Sequence, residues 1–165
     1  MLKSGCKKGV AMKTKSKRKK YVGMYTDEGS FVNFYRLKNR KTMGFKEFES
    51  KKKANEAHDN QDLLSYHDLA PKVLSNVMKI DVWDERDRKY RRSGWGYITE
   101  IAETVTDEDI IDYEREDLLD SMENFCDLKF YDCHPGNYGY VKRKGKKILV
   151  CIDTGNDSFN GEYRY

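Results

Sequence analysis

The chain has 165 residues, 38% hydrophobic and 36% charged, which suits one domain with a modest core and is small for a full two-lobed enzyme. No apolar run approaches the roughly 20 residues that cross a bilayer, and the N-terminus lacks the apolar centre of a signal peptide, so no membrane partner is expected and the expected compartment is the cytoplasm. The net charge of +4 hides a division: residues 1–20 carry nine Lys/Arg and no acid, leaving the rest of the chain at −5.

That basic block reads as a solvated, flexible tail. The alternative is an electrostatic contact with nucleic acid or an acidic partner; without interleaved aromatics in residues 1–20 it rests on charge alone. The cysteines Cys6, Cys126, Cys133 and Cys151 form no Cys-x-x-Cys knuckle, so they read as reduced thiols rather than a zinc site.

The runs Tyr21–Tyr25 and Phe31–Tyr35 flank Thr26-Asp27-Glu28-Gly29-Ser30 and predict a β-hairpin. After a polar turn, Lys38 to Lys41, the segment Thr42–Phe48 predicts a strand with Gly44, Lys46 and Phe48 on one face. A helix is predicted over Ser50–Tyr66, capped by Ser50, with Ala54, Ala57, Gln61 and Leu64 on one stripe. Glu56 lies in its second turn, where it could reach back to Lys46, and Asp59 competes for that role. Asp84 to Ser93 reads as a charged turn between strands, and Trp95 to Glu103 as a strand leaving into an acidic loop. Residues 100–120 hold ten acids against Arg115 alone and read as a solvated helix face and loop. Ile110, Ile111, Leu118, Leu119, Met122 and Phe125 recur at helical spacings over Asp109–Phe125.

The most informative stretch follows. It runs Asp132-Cys133-His134-Pro135-Gly136-Asn137-Tyr138-Gly139, then Ile148-Leu149-Val150-Cys151-Ile152-Asp153-Thr154-Gly155. Five residues, with the turn Pro135-Gly136, let a tight loop present Asp132 and Asn137 toward one cleft. Tyr138–Val141 and Lys147–Ile152, around the basic turn Lys142 to Lys146, predict a β-hairpin that returns Asp153 beside Asn137. Phosphoryl transfer needs such a set: one carboxylate to orient the attacking hydroxyl, and an amide oxygen and a second carboxylate for the metal on the nucleotide phosphates.

These residues resemble the catalytic and metal-binding loops of the protein-kinase-like superfamily, especially the aminoglycoside- and choline-kinase style His-Gly-Asp-x-His-Pro-Gly-Asn. The sequence departs from the pattern in two ways: Phe130 and Tyr131 stand in the pair of positions where the family has a His before the Asp, and Thr154 replaces the aromatic of Asp-Phe-Gly. The resemblance runs from about Tyr21 to Gly155. It implies an α+β fold, with an N-terminal antiparallel sheet and one helix over residues 21–102. A reduced C-terminal lobe of helix, catalytic loop and β-hairpin would occupy residues 103–165.

The resemblance further implies ATP and Mg²⁺ as cofactors. Asp132 would be the catalytic residue, with Asn137 and Asp153 as metal ligands. Lys46 would contact the phosphates, with Glu56 as its partner. Gly29 and Ser30 would form the loop tip over the phosphates, Gly44 would leave room for adenine, and the hinge backbone at Glu100 and Ala102 would read it. The implied activity is phosphate transfer to a protein Ser/Thr or a small-molecule hydroxyl. The alternative is a catalytically silent scaffold acting as inhibitor or adaptor. Only ten residues follow Gly155, so the usual peptide-binding helices are not expected. A second copy or a host protein would then cover the reduced lobe. So small a version suits a compact genome such as a bacteriophage's, which would place it in host cytoplasm.

Overall fold

The structure is a computed structural model that describes residues 21–26, 33–132 and 134–159. The expected basic tail and the loop tip at Gly29 and Ser30 lie outside the described residues. The architecture is α+β, with a mixed six-stranded sheet, a second sheet of three strands and two helices.

The chain opens with strands β1 (Val22–Thr26), β2 (Asn33–Leu37) and β3 (Arg40–Glu47), an antiparallel meander. Between β2 and β3 the turn places Asn39 at φ 62°, a left-handed conformation that Asn tolerates. Helix α1 (Lys51–Tyr66) follows. Ser50 caps it by accepting a hydrogen bond from Lys53 N at 3.2 Å, and Ala54, Ala57, Gln61 and Leu64 form its buried stripe.

After α1 come β4 (Asp81–Asp84), β5 (Lys89–Arg92) and β6 (Gly96–Glu100). Here the expected charged turn is corrected: Asp84 to Ser93 contains the end of one strand and the whole of another. The turn itself is shorter and is held by the Asp84 carboxylate, which accepts from the backbone N–H of Arg86 (2.9 Å) and Asp87 (3.1 Å). All four residues of β5 are exposed, so no hydrophobic alternation marked it; its pairing with β4 makes it a strand. A second correction concerns the sheet. β4 runs parallel to β1, with Val22 opposite Asp81, so the sheet is mixed rather than antiparallel.

The strand order is β5-β4-β1-β2-β3-β6. Its two ends are consecutive in the chain and are the halves of one bent strand. Past β5, Ser93 N donates to Ile80 O (2.8 Å) and Gly96 N to Met78 O (2.9 Å), so pairing with the preceding segment continues into β6. One half closes on β1 through β4 and the other pairs with β3, curling the sheet into a barrel. Tyr35, Leu37, Phe45, Ile80, Val82 and Ile98 form its core. Strand alternation then sends Lys46, next to Phe45, to the outer face, where α1 packs.

The second sheet begins two residues beyond β6 and has the order β7 (Glu103–Thr104), β8 (Tyr138–Arg143), β9 (Lys146–Cys151). Between β7 and β8 lies helix α2 (Asp112–Cys126), whose buried Leu118 and Met122 join a second core with Leu64 of α1, Tyr138, Leu149 and Cys151. The β8–β9 hairpin closes through Lys144-Gly145, both at positive φ, the turn geometry that matches strand twist. No helix among the described residues is long and apolar enough to cross a membrane.

The barrel leaves no room at its bend. A Cβ on Gly96 would lie 1.8 Å from Lys46 O and 2.7 Å from Phe45 Cζ. Gly96→Ala is therefore expected to destabilise by about 3 kcal/mol or more, since β3 must move away from β6. The urea midpoint of the purified variant checks this, and an unchanged midpoint would contradict the close approach of β6 to β3.

Candidate functional site

Lys46 projects from β3 on the face that α1 covers, directly across the ladder from Tyr97 of β6. Its Nζ donates to Gln61 Oε1 at 3.0 Å and to the backbone oxygen of Ile152 at 2.6 Å. Gln61 is fully buried. Its amide nitrogen donates to Pro71 O (2.9 Å) and Thr99 Oγ1 (2.6 Å), and its oxygen also accepts from the Tyr97 hydroxyl (2.7 Å). Every donor and acceptor site of this buried amide is used.

The expected Lys46–Glu56 pair is thereby corrected. Glu56 instead sits 3.9 Å from Lys52 on its own helix, and Asp59 is exposed beside His58. Helical geometry gives the reason. The sheet-facing stripe is Ala54-Ala57-Gln61-Leu64, and Glu56 is one residue, about 100°, off it. Burial pulls the Lys46 ammonium down to about 8, opposed chiefly by the negative charge of Asp153. Its bonded partner on α1 is neutral, so Asp153 is the acid that compensates it.

The β8–β9 register, with Tyr138 opposite Cys151, brings Asn137 to the residue before Asp153. Ile152 N donates to Asn137 O (2.9 Å), and Asn137 Nδ2 donates to Asp132 O (3.0 Å). A continuous path thus runs from Lys46 through Ile152 and Asn137 to Asp132, with Asp153 next to Ile152. The loop between is built by His134, whose Nδ1 accepts from Gly136 N (3.1 Å) and whose carbonyl accepts from Asn137 N (2.9 Å). Asp132 is exposed and Asp153 half-buried. Both carboxylates bear on the Cys151 thiol, whose pKa is raised first by burial and further by these charges.

Asp153 is held from both sides: Oδ1 accepts from Gly155 N (3.3 Å) and Oδ2 from the Ser158 hydroxyl (2.6 Å). Thr154, where an aromatic was the pattern, is buried and donates to Ala57 O (3.0 Å) on α1. Asn60 adds bonds to Thr154 O (3.0 Å) and Asn156 Oδ1 (2.8 Å). Gln61, Asn60, Thr154 and Ser158 were not among the expected site residues. Only Gln61 carried a signal, a polar residue on an otherwise apolar helix stripe.

At the connection between the sheets lies a groove of about 470 Å³, lined by Thr42, Glu100, Ile101, Ala102, Glu103 and Tyr140 among others. Glu100 is committed to structure. Its two oxygens each accept from Arg143 at 2.7 Å, its carboxylate also takes Lys72 N (3.0 Å), and its own N–H donates to Lys72 O (2.9 Å). Burial would raise its pKa, but the Arg143 and Lys72 hydrogen bonds hold it below the usual carboxylate value. Its expected adenine-reading role is corrected to a clamp between the sheets; Ala102 remains at the groove. The room expected over Gly44 is also filled, since a Cβ there would lie 2.1 Å from Cζ of the Phe34 ring.

Among the described residues no group of three or more His, Cys, Asp and Glu could hold a metal. The oxygen donors present are Asp153 and the Asn137 side chain, whose Nδ2 is occupied and whose Oδ1 accepts no hydrogen bond among the described residues. So sparse a set fits Mg²⁺, which commonly takes one or two protein oxygens and completes its shell with water and substrate phosphates. Set against known proteins, the sequence matches no protein-family model, and no curated protein matches it closely enough to show kinship.

The two helix residues separate cleanly by mutation. Gln61→Leu takes one hydrogen-bond partner from each of the Lys46 ammonium, the Tyr97 hydroxyl, the Thr99 hydroxyl and the Pro71 carbonyl, and is expected to cost about 3 kcal/mol. Glu56→Ala should stay within about 0.5 kcal/mol of wild type. Denaturant melts of both variants check this; the reverse order would restore Glu56 as the partner.

Proposed function

We propose that the junction between the two sheets is the site of a small kinase-like phosphotransferase that binds Mg·ATP and transfers phosphate to a hydroxyl of a protein or small molecule. The observation that carries this reading is the hydrogen-bonded path joining Lys46, Ile152, Asn137 and Asp132, with Asp153 at its elbow. That path ties together three chain segments, which carry one cation, two carboxylates and an amide, and phosphoryl transfer depends on positioning and charge compensation of this kind.

In this reading Asn137 and Asp153 hold Mg²⁺, which neutralises phosphate charge. Lys46 has a third N–H beyond its two hydrogen bonds, and that donor serves a phosphate oxygen. Asp132, exposed at the rim, accepts the hydrogen bond of the incoming hydroxyl and orients it. The groove beside Ile101 and Ala102 takes the base.

A second reading is a scaffold that binds another protein without chemistry. The filled space at Gly44 favours it, because a bound base must displace Phe34 or stack upon it.

Three variants, assayed with ATP labelled on its terminal phosphate, separate the readings. Asp132→Ala should keep ATP affinity and lose transfer by ~10²-fold or more, because the carboxylate meets the acceptor and not the nucleotide. Lys46→Ala should weaken both. Asp153→Asn should fold normally and lose the Mg²⁺ dependence of binding. Transfer that survives Asp132→Ala contradicts the assigned chemistry; Mg·ATP binding with no labelled acceptor, the protein itself included, selects the scaffold.

A further inference from the structure

We propose that Ser158 is the positioning residue of this site, fixing the Asp153 side chain and its spacing from Asp132; this rests on the reading of Asp153 as a metal ligand. Ser158 is buried, and all three of its polar groups are committed. Its hydroxyl donates to Asp153 Oδ2 at 2.6 Å, a length typical of a strong O–H···O⁻ bond. Its N–H donates to Gly155 O (3.1 Å), closing the short 3₁₀ turn Asn156–Ser158. Its carbonyl accepts from Tyr131 N (3.0 Å), the residue before Asp132.

A purely local turn does not require this set. The Asp153 carboxylate already accepts a turn N–H, from Gly155, on its other oxygen. The Tyr131 bond reaches back across the whole β8–β9 hairpin, and the neighbouring Phe130 and Phe159 pair beside it with ring centroids 5.3 Å apart. One serine therefore joins the loop of the hydroxyl-orienting carboxylate to the carboxylate assigned to the metal. A carboxylate on a half-exposed turn otherwise samples several rotamers. With Oδ1 on Gly155 N and Oδ2 on the Ser158 hydroxyl, Asp153 keeps one orientation before any cation arrives.

The full chain is tested with Mn²⁺ as probe, counted by electron paramagnetic resonance, with a non-hydrolysable ATP analogue present. Ser158→Ala removes only the hydroxyl. It should weaken Mn²⁺ binding ~10- to 100-fold, as loss of a partner behind a metal ligand does. Metal-free analogue affinity and amide-exchange protection at Tyr131 should stay as in wild type, because the backbone bonds remain. Ser158→Thr, which restores the donor, should recover most of the Mn²⁺ affinity. Unchanged Mn²⁺ affinity in Ser158→Ala, or equal loss of metal-free binding, overturns the proposal. A crystal structure of metal-free Ser158→Ala supplies a readout independent of nucleotide: Asp153 swung off its wild-type rotamer supports the role, and an unmoved carboxylate overturns it. A wild type with no Mn²⁺-dependent nucleotide binding defeats the functional reading above while that crystal structure still decides the role of Ser158.

Discussion

The Lys46 ammonium is the point on which the rest of the arrangement depends. Its bond to Gln61 fastens β3 to α1, and its bond to the Ile152 carbonyl fastens the barrel to the second sheet. Gln61 in turn reaches β6 through Tyr97 and Thr99 and the following segment through Pro71. Five parts of the chain thus share one buried amide and one cation, where low local dielectric makes each bond strong and each missing partner costly. An amide serves this junction where a carboxylate was expected. A glutamine satisfies several partners without adding a charge that would compete with Asp153 for the cation.

Around that junction further side-chain bonds tie the two sheets to each other. Arg143 grips Glu100 with two 2.7 Å bonds and reaches Asp68 at 3.2 Å, so the connection between the sheets is bridged by a guanidinium as well as by backbone. Planar, bidentate pairing of this kind fixes an angle as well as a distance. The turn after Asp153 is likewise tied to α1 through Thr154 and Asn60. Where an aromatic at position 154 would supply a packing contact, the threonine supplies a hydrogen bond into the helix backbone.

What was legible in the sequence follows from how local each signal is. The Ser50 cap, the α1 stripe and the β8–β9 hairpin each depend on residues within a few positions of one another, and periodicity or turn chemistry reports such features. The nearness of Asn137 and Asp153 was legible for the same reason, since one hairpin sets it. The edge strand β5 was not: Lys89-Tyr90-Arg91-Arg92 is polar throughout and becomes a strand only by pairing. The parallel β1–β4 pair joins segments about 60 residues apart, beyond any local pattern. Lys46 was singled out by the resemblance of Gly44-x-Lys46 to the family's lysine strand, and strand alternation does place it on the face that α1 covers. Its true partner was missed because charge complementarity was weighed above helical phase, and phase decided it. The Phe34 ring over Gly44 and the Ser158 hydroxyl on Asp153 depend on side-chain placement in three dimensions, which no spacing records.

The central claim is that the junction around Lys46 and Asp153 receives Mg·ATP. Backbone amide chemical shifts of the isotope-labelled full chain, recorded as Mg·ATP is added, test it most directly. The account predicts saturable shifts gathered at Gly44 to Lys46, Ile101 and Ala102, Asn137, and Ile152 to Gly155, with α2 and β5 unaffected. Shifts confined to the exposed faces of α2 or β5, or no saturable shift at all, would contradict it.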